Sequence, residues 1–227
     1  MYFTDTPALN RCEAMMKQTP LSHQRGSGRK QRPLHYTKKD CDCRYCLYHQ
    51  KKKGCTVSEC PVLDIRLNCG TASFYEAVTA AFRNTEHSAF RRRLDQYIKK
   101  DGGSMIYENG WHKRSFKTEL HKLRKPDRKR LAVLYLLTAG DALWRKVNGA
   151  LKNGQIDFEA VHLGGVDPDS YALWKAAKEI RTGKKQISLC ELANKENISD
   201  RAFRLITQAM TIARFGAYAL NGMEELR

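Results

Sequence analysis

The sequence predicts a mainly α protein: a helical domain over residues 71–227, preceded by a cysteine-rich module over 35–70 and an arm over 1–34. Three observations predict it. Apolar residues recur at helical spacing through most segments after residue 70. Gly, Pro, Ser and Asn fall between those segments, where helices start and stop. Five cysteines crowd into "DCDCRYCLYHQKKKGCTVSEC", residues 40–60, which has no such period.

The arm contains "SHQRGSGRKQRP", rich in Gly, Ser, Arg and Pro, and reads as a flexible basic segment in which Cys12 stands alone. In "SFYEAVTAAF" (73–82), Phe74, Val78 and Phe82 lie four apart on one helical face. "SAFRRRLDQYIKK" (88–100) turns Phe90, Leu94, Tyr97 and Ile98 one way, with Arg91, Arg92, Arg93, Gln96, Lys99 and Lys100 opposite. "SMIYENG" suits a short strand, and Asn109 suits the cap of a helix over 110–124 that buries Phe116, Leu120 and Leu123. Pro126 then suits the start of "RLAVLYLLTAG", the most apolar segment and the expected central helix, with Gly140 at its end. "DALWRKVNGAL" adds another helix and "IDFEAVHL" a brief extended piece. "DPDSYALWKAAKEIRTG" carries Pro168 in its first turn and Gly183 as terminator.

Cys41, Cys43, Cys46, Cys55, Cys60 and Cys69 give the spacing C-x-C-x2-C-x8-C-x4-C-x8-C. Zinc takes four thiolate or imidazole ligands in a tetrahedron, usually from two short-spaced pairs. Cys43 with Cys46, and Cys55 with Cys60, supply such pairs across a loop whose Gly54 permits the return. Cys41 can substitute for Cys43, and His35 or His49 can contribute. Four protein ligands leave no open position for water, so the expected Zn2+ is structural, in a hairpin or knuckle that presents Lys51, Lys52 and Lys53. The amino terminus lacks the basic-then-apolar order of a secretory signal, so a cytoplasmic location is expected, where thiols stay reduced and metal-binding outranks disulfides.

The formal net charge is +17, with 41 Lys/Arg against 24 Asp/Glu. Residues 1–70 carry 13 Lys/Arg against 6 Asp/Glu, residues 71–130 carry 15 against 7, and residues 131–227 carry 13 against 11. Nearly all the excess precedes residue 131, so a polyanion footprint is expected there, on Lys51, Lys52, Lys53, Arg91, Arg92, Arg93, Lys99 and Lys100. No run approaches the roughly 20 apolar residues of a membrane-spanning helix, and no membrane partner is expected. A Gly-rich phosphate loop, paired metal-binding carboxylates and a nucleophile motif are all lacking, and His112, His121 and His162 are scattered. The chain is not expected to be an enzyme.

"KQISLCELANKENISDRAFRLITQAM" (185–210) resembles the helix-turn-helix of bacterial DNA-binding proteins, in a unit placed over 185–213. Ala193 is the small residue that lets the helices cross, Asn197 the turn residue, Ile198 and Ser199 the apolar residue and cap that follow. Leu192, Phe203 and Ile206 point inward. Glu196 departs from the pattern, which has an apolar residue there. The resemblance implies that Ser199, Arg201, Arg204, Thr207 and Gln208 reach nucleic acid, although only two of them are cationic.

The stretches "DCDCRYCLYHQKKKGC", "FRRRLDQYIKK", "AVLYLLTAGDALW" and "LITQAMTIARFGAYAL" also resemble a cysteine-rich family encoded on conjugative and integrated elements of Gram-positive bacteria, over most of residues 35–220. That resemblance carries no activity with it. It implies a setting whose accessory proteins regulate transcription, assist DNA transfer or disable host defence. Two expectations follow: a zinc-stabilised accessory or regulatory protein that binds DNA or RNA, and an anti-CRISPR-type inhibitor of a Cas nuclease ribonucleoprotein.

Overall fold

The central helix α6, Arg128–Leu137, has every residue from Leu131 to Leu137 buried, because "LAVLYLL" is apolar on all sides and can only be stable when surrounded. In the computed structural model, which describes residues 15, 37–51, 55–56, 59–101, 107–123, 127–152 and 155–220, the chain divides between residues 35 and 36.

Two short 3-10 turns, Lys38–Cys41 and Cys43–Tyr45, lead into α1 (Leu47–Lys51). Helix α2 (Leu63–Asn68) follows, then α3 (Phe74–Ala81), whose Ser73 forms a reciprocal capping box with Glu76. Next come α4 (Ser88–Asp101) and α5 (Gly110–Lys122), the latter capped by Asn109 as expected. After α6 come α7 (Asp141–Val147), a two-residue antiparallel ladder of β1 (Leu151–Lys152) with β2 (Gln155–Ile156), and α8 (Pro168–Thr182). The described chain ends with α9 (Leu189–Ala193), α10 (Asp200–Phe215) and a 3-10 turn at Gly216–Leu220.

The core is a layer of α6, α8 and α10 packed on one another, with α3 against α10 and α5 against α6. Phe90 of α4 stacks edge-on to Phe203 of α10, and Phe116 of α5 to Tyr135 of α6. Fully buried side chains of this size each stabilise the fold by about 1.5–3 kcal/mol. A smaller cluster of Leu63, Leu67, Ala77 and Ala80 joins α2 to α3, and α2 also packs on the Gly216–Leu220 turn. The end of the cysteine segment is therefore continuous with the helical body. Gly216 sits at φ 67°, ψ −143°, and a Cβ there would stand 2.8 Å from Arg128 Cγ, so both backbone and space require glycine.

The main helices match expectation, including Asp167 and Pro168 opening α8 and Gly183 ending it at φ 74°. Four local expectations do not hold. Gly140 does not terminate α6: the helix closes at Thr138, and Gly140 is extended at φ −132° and precedes α7. Pro126, expected at the start of α6, lies outside the described residues and is not among these four; the cap is the next residue, Asp127, whose carboxylate accepts from Arg130 N at 2.7 Å. "SMIYENG" forms no strand over its described residues 107–110, and in "IDFEAVHL" only Ile156 is in a strand. The cysteine segment has no hairpin among its described residues, because Lys38–Tyr45 coils into 3-10 turns and helices follow.

Candidate nucleic-acid interface

The three consecutive arginines of α4 have three different fates. Arg92 is exposed. Arg91 is exposed too, but its guanidinium donates to the carbonyls of Thr85 and Arg83, anchoring the turn before α4. Arg93, expected at a polyanion surface, is only 3 % exposed. It donates to the carbonyls of Leu192 at 2.8 Å, Asn194 at 3.1 Å and Ile198 at 2.6 Å, and pairs with Asp200 at 2.9 Å. Its guanidinium carbon lies 4.4 Å from the Phe203 ring centroid. Five donors in a rigid fork match a turn that offers several carbonyls, so Arg93 builds the turn between α9 and α10.

The second helix of that unit is also placed otherwise than expected. Ser199 caps α10 through Ala202 N, and Leu192, Ile198, Phe203 and Ile206 are buried as the pattern requires. Thr207 and Gln208, expected to reach nucleic acid, are fully buried. Gln208 Nε2 donates to Tyr97 Oη at 2.9 Å, and its Oε1 accepts from the Tyr135 hydroxyl. The cause is that α10 packs against both α6 and α8, leaving little of its surface for a groove.

What the fold does assemble is a cleft of about 400 Å³ between α4 and the start of α10. Arg93, Lys100, Lys195, Arg201 and Arg204 line it, with Asp200 as the carboxylate among its walls. Glu108 stands behind, accepting from Arg201 at 2.8 Å and Arg204 at 2.6 Å. Burial would raise the Glu108 carboxyl, but the two guanidiniums outweigh it and hold it below its ordinary range. The hydrogen bond from Arg93 likewise lowers Asp200. Arg92, Lys99 and Lys100 are all exposed on α4, and Lys100 is one of the charges that lower Asp200. Lys195 escaped the sequence reading: it lies in the turn before α10, and only the packing of α9 on α4 brings it into the same cleft as Lys100.

Behind the cleft runs a buried polar chain. Glu108 N donates to His112 Nδ1 at 3.1 Å, so the neutral ring carries its proton on Nε2 and donates it to Tyr135 O, at 2.8 Å. Tyr135, Gln208 and Tyr97 continue it back to the cleft wall. Desolvation pushes His112 down to about 4, making it a neutral structural group.

In the cysteine segment, Cys43 and Cys46 share one turn closed by Cys46 N donating to Cys43 O at 3.1 Å. Cys60 Sγ lies 3.9 Å from Arg66 Nη1. Burial disfavours the charged Arg66, yet Cys60, Glu76 and Cys43 together hold its pKa above the ordinary value. Cys41, Cys55 and Cys69 are half-buried. His49 Nδ1 is buried with no hydrogen-bond partner among the described residues. Among the described residues, no three His, Cys, Asp or Glu side chains stand close enough together to hold a metal ion. Lys52 and Lys53 lie outside the described residues, as do His35 and the whole of 1–34 except Met15; Lys51 is described by its backbone, at the end of α1.

No helix among the described residues is long and apolar enough to cross a membrane. No family model matches this sequence, and neither the curated proteins nor the solved structures contain a significant match to it.

Proposed function

We propose that this chain is a basic nucleic-acid-binding protein, an accessory or regulatory factor of a mobile element, which grips the phosphate backbone along α4 and the adjoining cleft. The observation that carries this reading is the exposed row Arg92, Lys99 and Lys100 leading to a cleft walled by five cationic side chains. Glu108 offsets two of those cations and Asp200 is shared among Arg93, Lys195 and Lys100, so two carboxylates face five cations. Phosphates neutralised by such side chains release counterions, so binding is strong and salt-dependent without base readout. In this reading α9, its turn and α10 act as a packing unit that shapes the cleft.

A structural zinc ion belongs to the proposal, held by Cys43, Cys46, Cys55 and Cys60 with Cys41 as substitute; these thiols are not gathered into a ligand group in this structure, so binding would have to draw them together. The donor chemistry supports it: a C-x2-C turn, a guanidinium beside Cys60 that would offset thiolate charge, and an unsatisfied His49 Nδ1 in the same segment. The ion would stabilise this segment and take no part in a reaction.

The test is a salt titration of the full chain against a labelled 20-base-pair duplex and a 20-nucleotide strand. Replacing Lys99, Lys100 and Lys195 together with Ala should lower the slope of log affinity against log salt by about two to three, at unchanged circular dichroism. An unchanged slope overturns the assignment of this face. Weak binding to both nucleic acids, with tight binding to a Cas9-type ribonucleoprotein, would transfer the case to the inhibitor reading.

A further inference from the structure

We propose that Tyr45 and Tyr48 form a stacking platform for unpaired bases, so that the nucleic acid recognised by this protein is single-stranded. The inference rests on the nucleic-acid reading above and narrows its ligand. Among the described residues these are the two most exposed aromatic side chains, at 76 % and 56 %. A single exposed tyrosine would need no explanation. Two of them, three residues apart on either side of Cys46, in a segment with six Lys/Arg against two Asp over residues 36–53, are a different matter.

The platform is held in place from below. Tyr45 N donates to Asp42 O at 3.1 Å, Cys46 N to Cys43 O at 3.1 Å, and Gln50 N to Cys46 O at 3.0 Å. The Gln50 side chain ties the turn again by donating to Arg44 O at 2.9 Å. Three chain steps separate the two tyrosines, so their Cα atoms are at most about 11 Å apart, a span that neighbouring nucleotides of an extended strand can match. Arg44 completes the surface. Its guanidinium carbon lies 5.9 Å from the Tyr45 ring centroid, and Asp42 holds it through Nε at 2.9 Å and Nη2 at 2.6 Å. That brace keeps a planar cation beside a planar ring, while 83 % of the Arg44 side chain stays open to solvent.

Flat rings with few rotatable bonds beside fixed cations bind single strands by stacking on bases and contacting phosphates. A duplex keeps its bases stacked on one another and offers such rings nothing but its ends. The aromatic pair therefore selects for unpaired bases, while the α4 face does not discriminate. Unpaired bases occur in both DNA and RNA, and no described group here tells a 2′-hydroxyl from a hydrogen.

The experiment measures binding of the full chain to labelled dU20, U20 and a 20-base-pair duplex by fluorescence anisotropy at one salt concentration. Changing Tyr45→Ala with Tyr48→Ala should weaken dU20 or U20 binding at least about tenfold and leave duplex binding within about twofold. Tyr45→Phe with Tyr48→Phe should restore the single-strand affinity, since the stacking faces remain. A loss equal for single strand and duplex, no loss, or no rescue by Phe overturns the platform while leaving the broader nucleic-acid reading intact. Failure of the unaltered chain to bind any of the three overturns both. Comparing dU20 with U20, which share a base, reports which sugar the site accepts.

Discussion

Arg93 ties three backbone carbonyls, one carboxylate and one aromatic face to a single side chain. Removing it strands the Leu192 and Ile198 carbonyls, where Arg93 bonds them in buried positions. Arg93→Ala should therefore lower unfolding free energy by about 2–4 kcal/mol in urea titration, whereas Arg92→Ala should leave it unchanged within about 0.5 kcal/mol. Equal, small effects of both would show that the turn does not depend on Arg93. The two residues are chemically identical and adjacent. Helical periodicity placed Phe90, Leu94 and Tyr97 correctly, but Arg93, one position before Leu94, lies at the edge of that apolar face. Whether an edge arginine faces water or a set of carbonyls depends on what packs there, and the partner begins about a hundred residues later.

At the scale of elements, the His112 chain links α5, α6, α10 and α4 through hydrogen bonds that need a neutral imidazole. The groups facing it are Tyr135 on α6, Glu108 before α5, and Arg201 and Arg204 on α10, the last two disfavouring its protonation. In the unfolded chain His112 takes a proton near 6.5; in the fold, near 4. The unfolded state thus binds more protons between those values. The stability contributed by His112 is complete above about pH 6.5 and falls as pH drops to about 4, by roughly 3 kcal/mol. His112→Gln should flatten that part of the stability profile, whatever it costs at neutral pH; an unchanged slope would place the acid sensitivity elsewhere. Glu191 acts in a separate, lower window. The hydrogen bond from Lys175, then those of the Ser188 capping box, lower it to about 2, so its contribution is lost only as pH falls from about 4.5. The capping boxes at Ser73 and Ser188 are local and follow from Ser-x-x-Glu spacing. The fate of Gly140 was not local. Its neighbours read like a helix end, but α7 follows at once and the bend is made with extended backbone.

For the whole molecule, the proposed zinc ion makes the sharpest claim. If Cys46 is a ligand, purified protein carries zinc near one equivalent, and Cys46→Ser loses metal and melts at lower temperature, since binding free energy of a structural ion is folding free energy. Chelation should lower the melting temperature of the unaltered chain and not that of the variant. Full metal content in the variant would remove Cys46 from the set. The split of charge along the chain put the cationic excess before residue 131, because charge totals need no coordinates. It could not locate the cleft, whose walls come from residues 93–100 and 195–204. Mainly helical class, most helix positions, their caps and the burial of α6 were open to reading from residue order, since each depends on neighbours within a few positions. Which arginines are buried, that Gln208 is a core hydrogen-bonding group and that Lys195 lines one cleft with Lys100 all depend on contacts between distant segments. Those contacts form only when α4, α9 and α10 pack together, and no local period encodes that meeting.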